Sequence, residues 1–307
     1  MPLQKKIAFA ICTYNRPADA LELLQNISQL DRAEELLEEV ILLNNASADD
    51  YTAVKKFIAS VPFLPFKYFE AGENLGVAGG RNFAFGKIKA PIIILLDDDA
   101  ILQNKDCLVN LVNEFETDNT ERPKAIVSFK VLYYDNLEMQ INALPHKQFA
   151  KYRDKSFFET YYYAGGAHAV KKEVLEKLGH YPQDFFYGME EYDLAFRILD
   201  AGYSIVYNDK IVMLHKESPL GRKPKKEKLQ MMWVNKSIVA YRYLPKKYFY
   251  STAIMWSLQY LKETGIHMPG FFRGWKKIFS IPSSEKRRPV SDATLQYLKK
   301  LEARLWY

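Results

Sequence analysis

The sequence predicts an α/β fold, a mostly parallel sheet flanked by helices, followed by a basic and mainly helical C-terminal region. Three observations carry this. Short β-branched runs alternate with helical patterns from Lys6 to Leu96, a β-α-β-α rhythm that needs helical crossovers and hence parallel strands. Successive runs end in polar clusters, "TYNR", "NNAS" and "DDDA". The charge also changes sign along the chain: residues 1–215 hold 23 Lys and Arg against 31 Asp and Glu, and residues 216–307 hold 20 against 6. These set two expected regions, an α/β domain over 1–218 and a basic helical region over 219–307.

The strands are read at "KIAFAICTY", "EVILLNNAS", "FKYFEAG" and "PIIILL", with helices between them from Pro17, over Asp49–Ser60 and over Val77–Ile88. Pro17 suits a first helical turn, and Leu21, Leu24 and Ile27 share the face that follows it. From Ala125 to Tyr163 come strand-like "AIVSFKVLYY" and an aromatic-rich loop. "YYYAGGAHAVKKEVLEKLG" reads as a strand, a tight Gly-Gly turn and a short helix. "EEYDLAFRILDAG" reads as a helix stopped by Gly202, with two further strands in "SIVYND" and "IVMLHKES". Because ligands of open α/β sheets bind beyond the carboxyl ends of the strands, the three polar clusters are expected to converge.

Composition narrows the class. With 307 residues, 48% of them hydrophobic, the chain can bury a full core. Only Cys12 and Cys107 are present, so neither a disulfide framework nor a Cys-based metal site is available, and a reducing, cytoplasmic compartment is expected. The first apolar run is too short for a signal peptide. The longest uncharged apolar-leaning later segment, "YFYSTAIMWSLQYL", carries Ser, Thr and Gln and cannot span a bilayer.

An isolated acidic triplet is ordinarily a surface turn. Asp97, Asp98 and Asp99, however, follow a strand too apolar for a sheet edge, where their mutual repulsion calls for a cation. Mg²⁺ or Mn²⁺ is typically held by one or two carboxylates together with substrate phosphates, so the cluster reads as a metal–diphosphate site. A second acidic set, Glu190, Glu191 and Asp193, opens a helix directly after Phe185, Phe186 and Tyr187. It is either a favourable meeting of carboxylates with a helix dipole or a general base in a walled pocket. Asp193 and Arg197 are spaced to pair on the helix. His215, ending "IVMLH", is a structural histidine or a metal ligand on local grounds; His168 and His180 are weaker candidates.

Taken together, "AICTYNR", "LLNNAS", "ENLGVAGGRN", "LLDDDA", the stretch from "YAGGAHAV" through "FFYGMEEYDLAFRILDAGYSIVY" and "LHKES" resemble a family 2 glycosyltransferase of the glycosyltransferase A fold. The resemblance runs from about Ile7 to Ser218 and is similar, in the tail, to bacterial rhamnosyl- and galactosyltransferase-like members. It implies transfer, with inversion, of a sugar from a nucleoside diphosphate donor, UDP- or dTDP-linked, to a saccharide acceptor, in bacterial surface polysaccharide synthesis. By the same comparison Asp97 and Asp99 form a DxD motif, with Asp97 a metal or ribose contact, Asp98 beside the donor, and His215 completing the Mn²⁺ or Mg²⁺ site. Glu191 matches the catalytic base, with Glu190 as the alternative. Thr13, Tyr14, Asn15, Arg16, Asn44, Asn45, Asn74 and Arg81 would line the nucleotide pocket. Two departures stand: Asn44 replaces a common Asp, and Glu191 is one methylene longer than the usual Asp.

Two rivals remain at this point. "IIILLDDDAI" approximates the nucleophile strand of a haloacid dehalogenase-type phosphatase, with Ile101 in the Thr/Val place. A non-enzymatic basic protein binding a membrane would fit the tail; no nucleic-acid module is present, and nucleic acid is not an expected partner. The tail interleaves cations with aromatics in "GRKPKKEK", "LPKKYFY", "FFRGWKKIF" and "SEKRRP". That pairing suits peripheral docking on the anionic inner leaflet, through Lys223, Lys225, Lys226, Lys276 and Lys277, where a lipid-linked acceptor would be met.

Overall fold

The computed structural model describes residues 5–218, 220 and 224–306. The N-terminal half runs β1 (Ile7–Thr13), α1 (Pro17–Ser28), α2 (Ala33–Leu36), β2 (Leu37–Asn44), α3 (Thr52–Ser60), β3 (Phe66–Glu70), α4 (Gly76–Phe85) and β4 (Ile92–Asp97). Strands β3, β2, β1 and β4 lie side by side in that order, all parallel. Side chains of β1 alternate between two cores: Ile7, Phe9 and Ile11 pack with α1, α3 and the helix Cys107–Glu116, while Ala8 and Ala10 face α4. Burial on both faces explains why β1, β4 and Val40–Leu43 of β2 read as continuous apolar runs, while the edge strand β3 does not. The small face of β1 lets α4 approach closely, and a Cβ on Gly80 would collide with Cys12 Sγ.

After β4 the sheet turns mixed. The chain continues through β5 (Ala100–Leu102), α5 (Cys107–Glu116), β6 (Lys124–Tyr133), α6 (Phe149–Tyr152), β7 (Phe157–Thr160), β8 (Ala167–Lys171), α7 (Lys172–Leu178), α8 (Glu190–Asp200) and β9 (Ser204–His215). β8 sits between β4 and β6, antiparallel to both, β9 runs parallel to β6, and β5 and β7 pair antiparallel with β9. The parallel sheet expected from the early rhythm is thus one half of a nine-stranded sheet. The other half is mixed because β8 enters antiparallel between β4 and β6, and β5, reached from β4 through a tight acidic turn, runs antiparallel to β9.

The two strands expected at "SIVYND" and "IVMLHKES" are one. β9 is continuous, but its pairing with β6 jumps from Phe129–Asn208 to Lys130–Val212, so residues 209–211 bulge and interrupt the apolar alternation.

The C-terminal region forms α9 (Lys225–Tyr243), α10 (Lys246–Thr264), α11 (Met268–Ser284) and α12 (Asp292–Lys300). Gly265, at φ 63°, ends α10, and Ser291 caps α12 by accepting from the Thr294 amide at 3.2 Å. Trp233, Tyr260, Ile278 and Leu298 belong to the same buried cluster as Ala8, Ala10 and Leu194. Asp193 pairs with Arg197 at 3.0 Å as its spacing suggests, and also accepts from Arg242 at 2.9 Å and Tyr243 at 3.0 Å, which fastens α9 to α8. Among the described residues no helix is long and apolar enough to cross a membrane.

Candidate active site

Two ladders deliver the acidic triplet and His215 to one place. β4 ends at Asp97, beside Cys12 of β1, and β5 begins at Ala100, which pairs with His215 of β9. Asp99 therefore lies next to the histidine, with His215 Nε2 at 3.4 Å from Asp99 Oδ1. Ligand atoms of Asp97, Asp99 and His215 all lie within 4.8 Å of one another. The three carboxylates are held differently: the Asp97 side chain is 44% exposed, Asp98 and Asp99 are buried. Arg16 Nη1 sits 2.8 Å from Asp98 Oδ1 and 3.2 Å from Asp99 Oδ2, and Arg16 also donates to the Ser218 and Leu220 carbonyls. Asp99 further accepts from the Ser218 amide at 2.9 Å.

These contacts set the protonation. Burial pushes Asp98 up to about 6, with Arg16 opposing. Burial would also raise Asp99, but the His215 hydrogen bond and Arg16 outweigh it and hold Asp99 below its ordinary value. Burial would lower His215, and the neighbouring aspartates more than offset it. The tautomer is fixed from behind. Glu217 Oε1 accepts from Gln140 Nε2 at 2.7 Å, which turns Gln140 Oε1 toward His215 Nδ1 at 3.0 Å. Nδ1 then carries a proton, and Nε2, turned toward Asp99, would offer its lone pair to a metal once its own proton is lost. Two carboxylates and one imidazole nitrogen form a donor set suited to Mn²⁺ or Mg²⁺ with room left for phosphate oxygens.

A cavity of about 910 Å³ opens over this cluster. Thr13, Tyr14, Arg16, Asn45, Asn74 and Arg81 line it, as do Asp97, Asp98, Asp99 and His215. Asn15, Asn44 and Glu191 are not on that wall. Asn15, at φ 54°, accepts from the Ala48 amide, and Asn44 is buried, accepting from Ser47 N at 2.9 Å and donating to Tyr68 at 2.9 Å. Both brace the loop after β2. Asn45 and Asn74 build the turn into α4: Asn45 accepts from the Leu75 amide, and Asn74 accepts from both Asn45 and the Gly76 amide.

The second acidic set meets the first through Arg81. This buried guanidinium lies 3.2 Å from Glu190 Oε1, 3.2 Å from Glu191 Oε1 and 3.4 Å from Asp97 Oδ1. Burial would lower its pKa, and the surrounding carboxylates raise it instead. Glu190 is 2% exposed, and its Oε2 has no hydrogen bond among the described residues. Burial pushes it up to about 8, with the charge of Glu191 adding and Arg81 opposing. Glu191 is 16% exposed. Gly165 and Gly166 pass between the two sets: a Cβ on Gly165 would strike the Glu191 carboxylate, and one on Gly166 would strike Asp97. The Gly-Gly turn is legible in the sequence, but its cause is these two carboxylates. Gln140 carries no local signal at all, since its loop has no periodicity and only the fold brings it behind His215. His168 is a core residue, bonded to the Ala164 carbonyl and Tyr181, with burial pushing it down to about 3.

Residues 8–179 match the family described as Glycosyl transferase family 2. The chain belongs to that family. The match includes the triplet, which assigns "LLDDDA" to a glycosyltransferase and away from a phosphatase. Glycosyltransferase YfnE of Bacillus subtilis, itself uncharacterized, is 26% identical over 270 residues, 70% of this chain and 65% of that one. The O-antigen chain rhamnosyltransferase RfbN of Salmonella typhimurium is 24% identical over 219 residues, 68% of this chain and 66% of that one. The matches thus span just under two thirds of these longer relatives. Among solved structures, the mannosyltransferase PcManGT of Pyrobaculum calidifontis, in complex with GDP-Man and Mn²⁺, superposes with a TM-score of 0.61 at 21% identity, covering 96% of this chain and 79% of that one. TarS of S. aureus, in complex with UDP-GlcNAc, gives 0.63 at 13% identity, covering 94% and 82%. The fold is the glycosyltransferase A fold.

Proposed function

We propose that this family 2 glycosyltransferase moves a sugar, with inversion, from a nucleoside diphosphate donor to a hydroxyl of a saccharide acceptor, in the building of a bacterial surface glycan. The observation that carries it is the convergence of Asp97, Asp99 and His215 under a cavity of about 910 Å³, joined through Arg81 to Glu191. Asp97, Asp99 and His215 would hold the Mn²⁺ or Mg²⁺, which when bound supplies positive charge to a departing diphosphate. The name of PcManGT's complex, GDP-Man with Mn²⁺, supports a donor and metal of this class. A UDP- or dTDP-linked donor is the expectation from the sequence, and Asn44, bonded to Ser47 and Tyr68, braces the loop after β2.

The chain's own residues divide the work. Asn45 and Asn74 shape the turn at the start of α4 by accepting from the Leu75 and Gly76 amides. Glu191 takes the proton of the attacking acceptor hydroxyl, and the direct displacement inverts the anomeric carbon without a covalent enzyme intermediate. Arg81 places Glu191 and Asp97 on one cation. Glu190, buried and held protonated near neutral pH, positions Arg81 and leaves the base role to Glu191.

Incubation with a panel of UDP-, dTDP- and GDP-sugars and Mn²⁺, scoring binding and slow hydrolysis, tests this reading. One nucleotide class should bind and be turned over, with both lost in EDTA. Full activity in EDTA would overturn the metal assignment, and no binding across the panel would overturn the donor class.

A further inference from the structure

Among the described residues fifteen large apolar side chains are exposed, and eight of them fall between residues 250 and 279. That is about a tenth of the chain carrying half of its exposed apolar bulk. On α10, Tyr250, Ile254 and Leu258 recur at four-residue spacing and line one face. On α11, Phe272 and Phe279 are seven residues apart and also share a face, and Phe279 is 76% exposed. The inner faces of both helices are already satisfied. Tyr260 and Ala253 of α10 and Ile278 of α11 lie in the core, and Gly274 lies so close to the Trp233 ring that a Cβ would collide with it. A solvated appendage keeps a polar outer face; helices apolar on both sides have a second apolar neighbour.

Charge chooses that neighbour. Residues 246–279 hold six basic residues and one acidic residue, Glu263, which pairs with Lys225 at 2.8 Å. Arg273, Lys276 and Lys277 stand exposed among the aromatics of α11. Two copies of this chain meeting face to face would bring the same cations together, whereas an anionic bilayer complements both the charge and the apolar groups. We infer that α10 and α11 form a docking surface for an anionic lipid bilayer, lying on it without crossing it. Of the lysines singled out in the sequence, Lys223 lies outside the described residues, Lys225 is engaged with Glu263, and Lys226, Lys276 and Lys277 are exposed.

The surface is tied to the active-site wall. The Trp233 indole donates to the Ala253 carbonyl of α10 at 2.9 Å, and Asn235, also on α9, donates to the carbonyls of Tyr187 and Gly188, the loop that leads into Glu190. Docking would therefore hold the cavity at a fixed relation to the membrane, where lipid-linked saccharides are found; only this consequence rests on the transferase reading.

Vesicle flotation of the full chain tests the inference. It should float with vesicles of phosphatidylglycerol and phosphatidylcholine, not with phosphatidylcholine alone, and less as salt rises. Combining Arg273→Gln, Lys276→Gln and Lys277→Gln should weaken binding by roughly 100-fold. Phe272→Ser with Phe279→Ser should weaken it by roughly tenfold or more. Both variants should keep wild-type Mn²⁺-dependent nucleoside diphosphate binding. Equal recovery on neutral and anionic vesicles, or none on either, overturns the inference. So does a dimer in solution, without lipid, that the Phe272→Ser and Phe279→Ser pair dissociates, since that gives the face to a second copy. Flotation as expected by a protein inert toward every nucleotide sugar would uphold the docking surface while refuting the transferase mechanism.

Discussion

The acidic triplet at the end of β4 and the acidic set at the start of α8 are built alike and held differently. In each, one carboxylate is left toward solvent and the others are consumed by structure. Asp97 is half exposed while Asp98 and Asp99 are tied to Arg16, His215 and Ser218. Glu191 is reachable while Glu190 is sealed in and Asp193 fastens α9 to α8. The difference lies in the partners. The triplet is held by Arg16 and in addition backed by an imidazole, so that two carboxylates and a ring nitrogen meet, an arrangement for a cation. The α8 set is backed by a guanidinium and presents one carboxylate, an arrangement for a proton. Runs of like charge in a sequence therefore need not share one role, and burial separates the members.

The largest expected effect breaks the comparison on the α8 side. Glu191→Gln keeps the size and removes the charge, so transfer should fall by about 10²-fold or more, while Glu190→Gln should leave most of it. Should Glu190→Gln be the inactive variant in steady-state assays, the two glutamates exchange roles; normal transfer by both would leave the reaction without its base. Arg81→Met removes the cation shared by both sets and strands the Asp97 and Glu191 carboxylates beside the buried Glu190 carboxyl. It should cost about 3–5 kcal/mol of stability, read as a drop in denaturation midpoint, and a stable, active variant would contradict the bridge.

Gln140→Leu sharpens the comparison on the triplet side. Without its acceptor the His215 tautomer is no longer fixed, and Mn²⁺ affinity measured by calorimetry should fall about 10–100-fold. Gln140→Glu, which still accepts from Nδ1, should recover most of it; equal affinity in all three proteins would make the contact incidental.

The smallest effect is in pH dependence. Glu190 is raised by burial to about 8 from an unfolded value of 4.5, so its contribution is full below that lower value and is lost as pH rises toward 8. The midpoint difference between wild type and Glu190→Gln, measured in EDTA, should move against wild type by a few degrees between pH 5 and pH 8.5. A constant difference would place Glu190 in an ordinary solvated environment.

How much of this was legible in the sequence follows from range. "PIIILLDDDA" announces a buried strand ending in charge within ten residues, and α8 announces its own face and stop. His215 was a candidate on motif order, but its meeting with Asp99 depends on the β5–β9 ladder, and a bulge at residues 209–211 hides that β9 is a single strand. Gln140 and the packing cause of Gly165 and Gly166 depend on chain segments brought together only in three dimensions. The outer face of α10 was obscure for the opposite reason: a helix apolar on two sides shows no periodicity to read.

The central claim, that the two acidic sets have separable tasks, is tested most directly by calorimetric binding of the preferred nucleoside diphosphate with Mn²⁺ to wild type, Glu191→Gln and Asp99→Asn. The account predicts wild-type affinity for Glu191→Gln and, for Asp99→Asn, loss of the Mn²⁺-dependent part of binding with the fold intact. Unchanged Mn²⁺ dependence in Asp99→Asn, or binding lost in Glu191→Gln, would contradict it.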